Sequence, residues 1–203
     1  MMSLSIRICF FGDSFTNGTG DDDCLGWVGR ICAAARQKGR DITSYNLGVR
    51  RNTSADIARR WRAEAEARLP PQYDGRLVFS FGSNDGYTND DGKGPRLQLE
   101  ESLKNARSIL QIAHQWRPTL MLGPMPVSDF ESDQRIRSLS ESLEILCTEL
   151  GIPYLNLFRS AVEISRIWHT ELVAGDGVHP NRRSYQAIAQ VIDRWPAWRA
   201  WID

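Results

Sequence analysis

The chain carries no excess of either charge: 25 Lys and Arg residues face 25 Asp and Glu. It therefore has no net field of the kind that draws a protein to nucleic acid or to an anionic membrane. Long hydrophobic runs are missing too. No apolar stretch in the sequence is long enough to span a bilayer. The run before Gly12 is too short for a signal-peptide core, and it alternates with Arg7 as a strand does. The four cysteines, Cys9, Cys24, Cys32 and Cys147, show neither a Cys-x-x-Cys pair nor zinc spacing. At 203 residues the chain buries enough surface to fold without disulfide staples, so these are expected to be reduced, mostly buried thiols of a cytoplasmic protein. There is no phosphate-binding Gly-x-x-x-x-Gly-Lys loop, no His-Glu-x-x-His and no dinucleotide fingerprint. Asp21-Asp22-Asp23 and Asn89-Asp90-Asp91-Gly92 lack the alternating spacing of a calcium loop and read as solvated turns. No cofactor and no metal are expected, and the expected partner is a small molecule.

What is present is an alternation of two patterns. With 41% hydrophobic and 25% charged residues, the composition is that of a globular protein rather than a disordered or fibrous one. Short β-rich runs occur at Ile6 to Phe11, Thr43 to Asn46, Leu77 to Phe81, Thr119 to Leu122 and Pro153 to Leu157. Between them lie helical stripes: Leu25, Val28, Cys32 and Ala35; then Leu99, Leu103, Ala106, Leu110 and Ala113; then Ile136, Leu139, Leu143, Leu146 and Leu150. Thr53 is placed to cap a helix carrying Ile57 and Trp61. Tyr185, Ile188, Ile192 and Trp195 mark a last helix that Pro196 stops. This order predicts an α/β fold with a parallel sheet of five strands. No repeat, low-complexity tract or linker divides it, so residues 1–203 are expected to form a single domain.

Polar and glycine-rich residues gather just after the strands, where an open parallel sheet forms its ligand crevice. They are Gly12-Asp13-Ser14-Phe15, Asn46-Leu47-Gly48, Gly82-Ser83-Asn84-Asp85 and Asp176-Gly177-Val178-His179-Pro180. A serine hydroxyl is a poor nucleophile until a base takes its proton, and the base works best when a carboxylate fixes its tautomer. Ser14, His179 and Asp176 match those roles. The chain has only three histidines. His114 ends a helical pattern beside Trp116, and His169 lies among Ile167 and Trp168, so both read as structural. Acyl transfer also needs donors aimed at a tetrahedral oxyanion. The candidates are the Ser14 N–H, the Gly48 N–H and the Asn84 side-chain amide. Singly, each glycine block and Asn84-Asp85-Gly86 is an ordinary turn signal; together, all at strand ends, they point to one pocket.

These blocks resemble those of the GDSL or SGNH hydrolases, whose second name lists Ser, Gly, Asn and His. The order matches from about residue 6 to about residue 190. The resemblance implies a flavodoxin-like three-layer α/β/α sandwich with strand order 2-1-3-4-5. It also implies a triad of Ser14, Asp176 and His179, and an oxyanion hole of Ser14, Gly48 and Asn84. Phe15 replaces the leucine of the family name and keeps an apolar residue behind the nucleophile. Gly26-Trp27 and Gly123-Pro124-Met125-Pro126 are also similar to family members.

The function expected is that of a serine esterase cleaving acyl esters. An acyltransferase or a carbohydrate O-acetylesterase would use the same residues, and a non-catalytic binding module is disfavoured by intact Ser14, Asn84 and His179. The polar segments Thr16 to Asp23, Gly86 to Gly94 and Ser128 to Asp133 predict a wet, shallow mouth and a short acyl group. Trp195, Trp198 and Trp201 suggest edge packing, with a homo-oligomer left open.

Overall fold

Strand β1 (Ile6–Gly12) shows in one element how the molecule is layered. Its side chains alternate across the sheet as the period of two demands. Ile8 and Phe10 enter one apolar cluster with Trp27, Ile31, Ile188 and Trp198. Cys9 and Phe11 enter another with Ile57, Trp61, Ile109 and Leu143. A strand apolar on both faces belongs in the interior of a parallel sheet covered by helices on both sides, and β1 lies there, with a strand on either side.

The computed structural model describes residues 5–163 and 165–203, and their side chains except at 162–163, 165–167 and 173–174. Residues 1–4 and the Ile167 side chain, both part of the sequence reading, lie outside the described residues. After β1 come α1 (Ser14–Asn17), α2 (Gly26–Gln37), β2 (Ile42–Gly48), α3 (Ser54–Glu66), β3 (Asp74–Ser80) and α4 (Ser83–Gly86). They are followed by α5 (Leu99–Trp116), β4 (Thr119–Leu122), α6 (Phe130–Leu150), β5 (Tyr154–Leu155), α7 (Leu157–Glu163), α8 (Ser165–Ala174), α9 (Arg182–Arg194) and α10 (Pro196–Ile202). The five strands lie in the order β2-β1-β3-β4-β5, and every pairing is parallel. Gly12 lies level with Gly48 on one side and Ser80 on the other. The carboxyl ends of β2, β1 and β3 therefore finish together, and the first three sequence blocks emerge side by side. No helix among the described residues is long and apolar enough to cross a membrane.

Several boundaries differ from expectation. Strand β3 starts at Asp74 rather than Leu77, because Asp74, Gly75 and Arg76 pair with Ile6, Arg7 and Ile8 despite their polar composition. Strand β2 runs on to Gly48, and β5 shrinks to two residues because Leu157 already opens α7. Pro196 does follow α9, yet it also begins α10, where a missing N–H costs nothing. Trp198 of that helix is buried against Phe10. Cys9, Cys32 and Cys147 are buried free thiols, whereas Cys24 is exposed.

Asp21 is the clearest correction. It is buried and is no solvated turn residue. Its carboxylate accepts from the N–H groups of Leu25 at 3.2 Å and Gly26 at 2.7 Å, and it is ion-paired to Arg30. Leu25, the residue before α2, offers no capping side chain, so Asp21 supplies the acceptor from four residues upstream. Asn89 to Gly92, by contrast, is a turn, with Asp90 and Asp91 exposed.

Candidate active site

Ser14 opens α1, a four-residue helix directly after β1. As the first helical residue its N–H has no acceptor inside the helix, so the hydroxyl and a backbone donor are presented together. Asp13 caps the turn: Oδ1 accepts from the Phe15 N–H at 2.9 Å. Gly12 is forced by packing, since a Cβ there would lie 2.0 Å from Thr16 Oγ1 and 2.3 Å from the Ser80 carbonyl. Phe15 is buried and contacts both Trp168, at 6.3 Å between ring centroids, and His179, at 5.9 Å. It thus forms the wall beside the histidine.

Asp176 and His179 meet as the three-residue spacing suggested. His179 Nδ1 lies 2.6 Å from Asp176 Oδ2, while Asp176 Oδ1 accepts from the backbone N–H groups of Val178 at 3.0 Å and His179 at 2.8 Å. Gly177 makes the turn with φ of +80°, a value few side chains tolerate. Partial burial works against ionisation of Asp176, yet the hydrogen bonds from His179 and Val178 outweigh it and hold the carboxyl down at about 2. The loop is tied to the segment after β4 by the Ser128 N–H, which donates to the Gly177 carbonyl at 3.0 Å.

Asn84 stands on α4, held at both ends of its amide. Nδ2 donates to Asp13 Oδ2 at 3.2 Å, and Oδ1 accepts from Arg96 at 2.5 Å. Burial pushes the Asp13 carboxyl up to about 7, the Phe15 N–H and Asn84 bonds hold it back, and the charge of Asp85 adds to the rise.

Ser14, Asn84 and His179 line one cleft of about 330 Å³, with Phe15, Tyr87, Val127 and Val178 as its less polar walls. Gly48 behaves differently. Its N–H donates to Asn46 Oδ1 at 3.1 Å, and it is not among the residues lining the cleft. Its lack of a side chain serves packing, because a Cβ would sit 2.3 Å from the Asn17 nitrogen. Asn46 Nδ2 in turn donates to the Thr16 carbonyl at 2.9 Å, binding the end of β2 to α1. His114 and His169 are both exposed, on α5 and α8. The sequence reading missed Arg50, Arg51, Tyr87 and Arg96, which share the cleft. The Arg50-Arg51 pair follows the Gly48 block and was open to the same strand-end reasoning, whereas Arg96 reaches the site from a loop with no local signal. No group of three or more His, Cys, Asp or Glu side chains suited to a metal occurs among the described residues.

Residues 10–187 match the GDSL-like lipase/acylhydrolase family. No match was found among curated proteins. Among solved structures, the chain is similar to an acetylxylan esterase from Geobacillus stearothermophilus, with 18% identity, TM-score 0.76, and 94% of this chain and 95% of that one covered. It is also similar to a lipase/acylhydrolase from Enterococcus faecalis, with 20% identity, TM-score 0.74, and 95% and 96% covered. A member of the lipolytic G-D-S-L family from Veillonella parvula gives 19%, 0.74, and 94% and 100%. At such identities the shared property is the fold.

Proposed function

Since the chain belongs to the GDSL-like lipase/acylhydrolase family and is thereby an ester-bond hydrolase, we infer that it works as a serine esterase with Ser14 as nucleophile, His179 as base and Asp176 as its orienting carboxylate. The observation carrying this reading is the 2.6 Å contact of His179 Nδ1 with Asp176, on a ring that lines the same cleft as Ser14 and Asn84. With Nδ1 engaged, Nε2 is the nitrogen left to act on a hydroxyl.

In the reaction, Nε2 takes the Ser14 proton as Oγ attacks the ester carbonyl. The carbonyl oxygen becomes an oxyanion, and the Ser14 N–H and Asn84 Nδ2 donate to it. Gly48 is the third donor once its N–H turns from Asn46. Collapse breaks the bond to the alcohol oxygen, which leaves with the proton from His179. Water, deprotonated by the same nitrogen, then releases the acid from Ser14. The site takes small esters with short acyl groups, acetylated sugars among them, since the similar fold from Geobacillus stearothermophilus is an acetylxylan esterase. No nucleic acid or membrane takes part.

Ser14→Ala tests the reading. Triad members act as a unit, so loss of the nucleophile should lower turnover of a short ester by roughly 10³-fold or more, and abolish labelling by a fluorophosphonate, while the circular dichroism spectrum is retained. Labelling that persists on another serine would overturn the assignment. Competing alcohol acceptors during turnover separate hydrolysis from acyl transfer, since both run through the same acyl-enzyme.

A further inference from the structure

One wall of the cleft is built of guanidinium groups. Arg50 and Arg51, on the loop between β2 and α3, and Arg96, before α5, all line it, and among the described residues no carboxylate does. Arg51 has a φ of +68°, a conformation that glycine adopts freely and other residues reach only at a cost. A strained non-glycine residue at the edge of a site points to a side chain that is needed there. Arg51 ion-pairs with Asp90 at 2.7 Å, and Arg96 approaches the same carboxylate at 4.0 Å. Asp90 is 77% exposed in its side chain, so one solvated acidic residue at the rim is set against three cations. Arg96 Nε is buried and makes no hydrogen bond among the described residues. Burial first, and the charge of Arg51 second, lower its pKa from the ordinary arginine value, as expected of a cation short of counter-charge.

We propose that this arginine wall selects esters that carry an anionic group beside the scissile bond, a carboxylate, sulfate or phosphate, held by Arg50 and Arg51 with Arg96 behind them. The proposal deepens the serine-esterase reading and rests on it. Guanidinium forks match planar and tetrahedral oxyanions with paired hydrogen bonds, and a cleft lined by one sign of charge concentrates ligands of the other. Asp90 stands in for such an anion on Arg51 until a substrate anion replaces it. Arg96 also orients Asn84, so a bound anion and the amide donor share one side chain.

The test compares acetyl esters of closely related phenols that carry different charge: 4-acetoxybenzoate and 4-acetoxyphenyl phosphate against 4-acetoxybenzamide. Mono-4-nitrophenyl glutarate against 4-nitrophenyl butyrate covers an anion on the acyl side. In at least one of these pairs the anionic ester should exceed its neutral partner in kcat/KM by about tenfold or more at low salt, and by less at high salt. Arg50→Gln with Arg51→Gly should bring the ratio to near one, with glycine relieving the strain at 51. Asp90→Asn should raise it by about threefold, since it frees both guanidiniums. Parity in all three comparisons, with neutral esters still cleaved through Ser14, overturns the proposal and leaves the esterase standing. An anion preference that survives the double substitution removes it from these arginines. If no ester is cleaved and Ser14 takes no fluorophosphonate, the esterase reading falls as well.

Discussion

Asp13 stands directly before Ser14, buried, with one oxygen on the Phe15 N–H and the other on the Asn84 amide. A carboxylate in that position caps α1 and aims Asn84, but its charge is held away from water. Its folded pKa of about 7 lies above the ordinary 3.8, which fixes a sign. Below about pH 4 both folded and unfolded chains hold this proton, and the group's contribution to stability is complete. Between about 4 and 7 the unfolded chain releases the proton while the native state keeps it, so stability falls as pH rises. Asp176 has the opposite shift, down to about 2, and its contribution is lost only as pH drops below about 4. The difference in melting temperature between the wild type and Asp13→Asn should therefore shrink or reverse from pH 4 to pH 7.5. A constant difference across that range would show that Asp13 ionises as freely in the fold as outside it.

At the scale of elements, the site depends on short pieces fixed from a distance. Helix α2 receives its N-terminal acceptor from Asp21, and the loop that carries Asp21 lies against the end of the 176–180 segment: a Cβ at Gly20 would be 2.6 Å from the Pro180 carbonyl. The Tyr185 hydroxyl donates to the Thr19 carbonyl at 2.9 Å and fastens the same loop to α9. Removing the Asp21 carboxylate strips three backbone donors, Asp23, Leu25 and Gly26, of an acceptor and leaves the partly buried Arg30 with Asp23 and the Gly26 carbonyl. Asp21→Ala should destabilise by about 3 kcal/mol, or about 6 to 12 °C in Tm for a chain of this size, whereas Asp22→Ala on the exposed neighbour should change little. Equal effects would return Asp21 to the surface role that its acidic neighbours suggest. This residue also marks the limit of what the sequence reveals. The strands and long helices were legible because their apolar residues recur with periods of two and 3.6, and the four site blocks because they follow those strands. The role of Asp21 was hidden because its partner is Arg30, nine residues on across a turn. The start of β3 was hidden because Asp74 to Arg76 gain their strand conformation from pairing with β1, a tertiary cause. Arg96 was invisible for the same reason: only the folded loop brings it to Asn84.

On the scale of the whole molecule, the sheet and its two helical layers leave Ser14, Asn84 and His179 in a cleft at the strand ends, and on the proposed esterase reading the size of that cleft should limit the acyl group. Its volume is about 330 Å³, and Phe15 in its wall stacks on Trp168, itself buried and donating to the Pro126 carbonyl at 3.3 Å. A more apolar groove of about 200 Å³ lies nearby, lined by Leu97, Leu99 and Leu139. It is bounded by Arg135, whose Nε donates to the Gly86 carbonyl at 2.9 Å, and it shares no lining residue with the cleft. A continuous acyl tunnel would reward each added methylene with about 0.8 kcal/mol, close to fourfold in kcat/KM. A cleft of this volume with arginine along one wall should reward only the first few carbons. Across a ladder of uncharged 4-nitrophenyl esters, from acetyl to dodecanoyl and below the micellar concentration, kcat/KM should level off or fall by about hexanoyl. A climb that continues to octanoyl and beyond would mean that the chain breaks through to the groove under Leu97. Arg135→Ala would then steepen the climb, because it removes the side chain that bounds the groove.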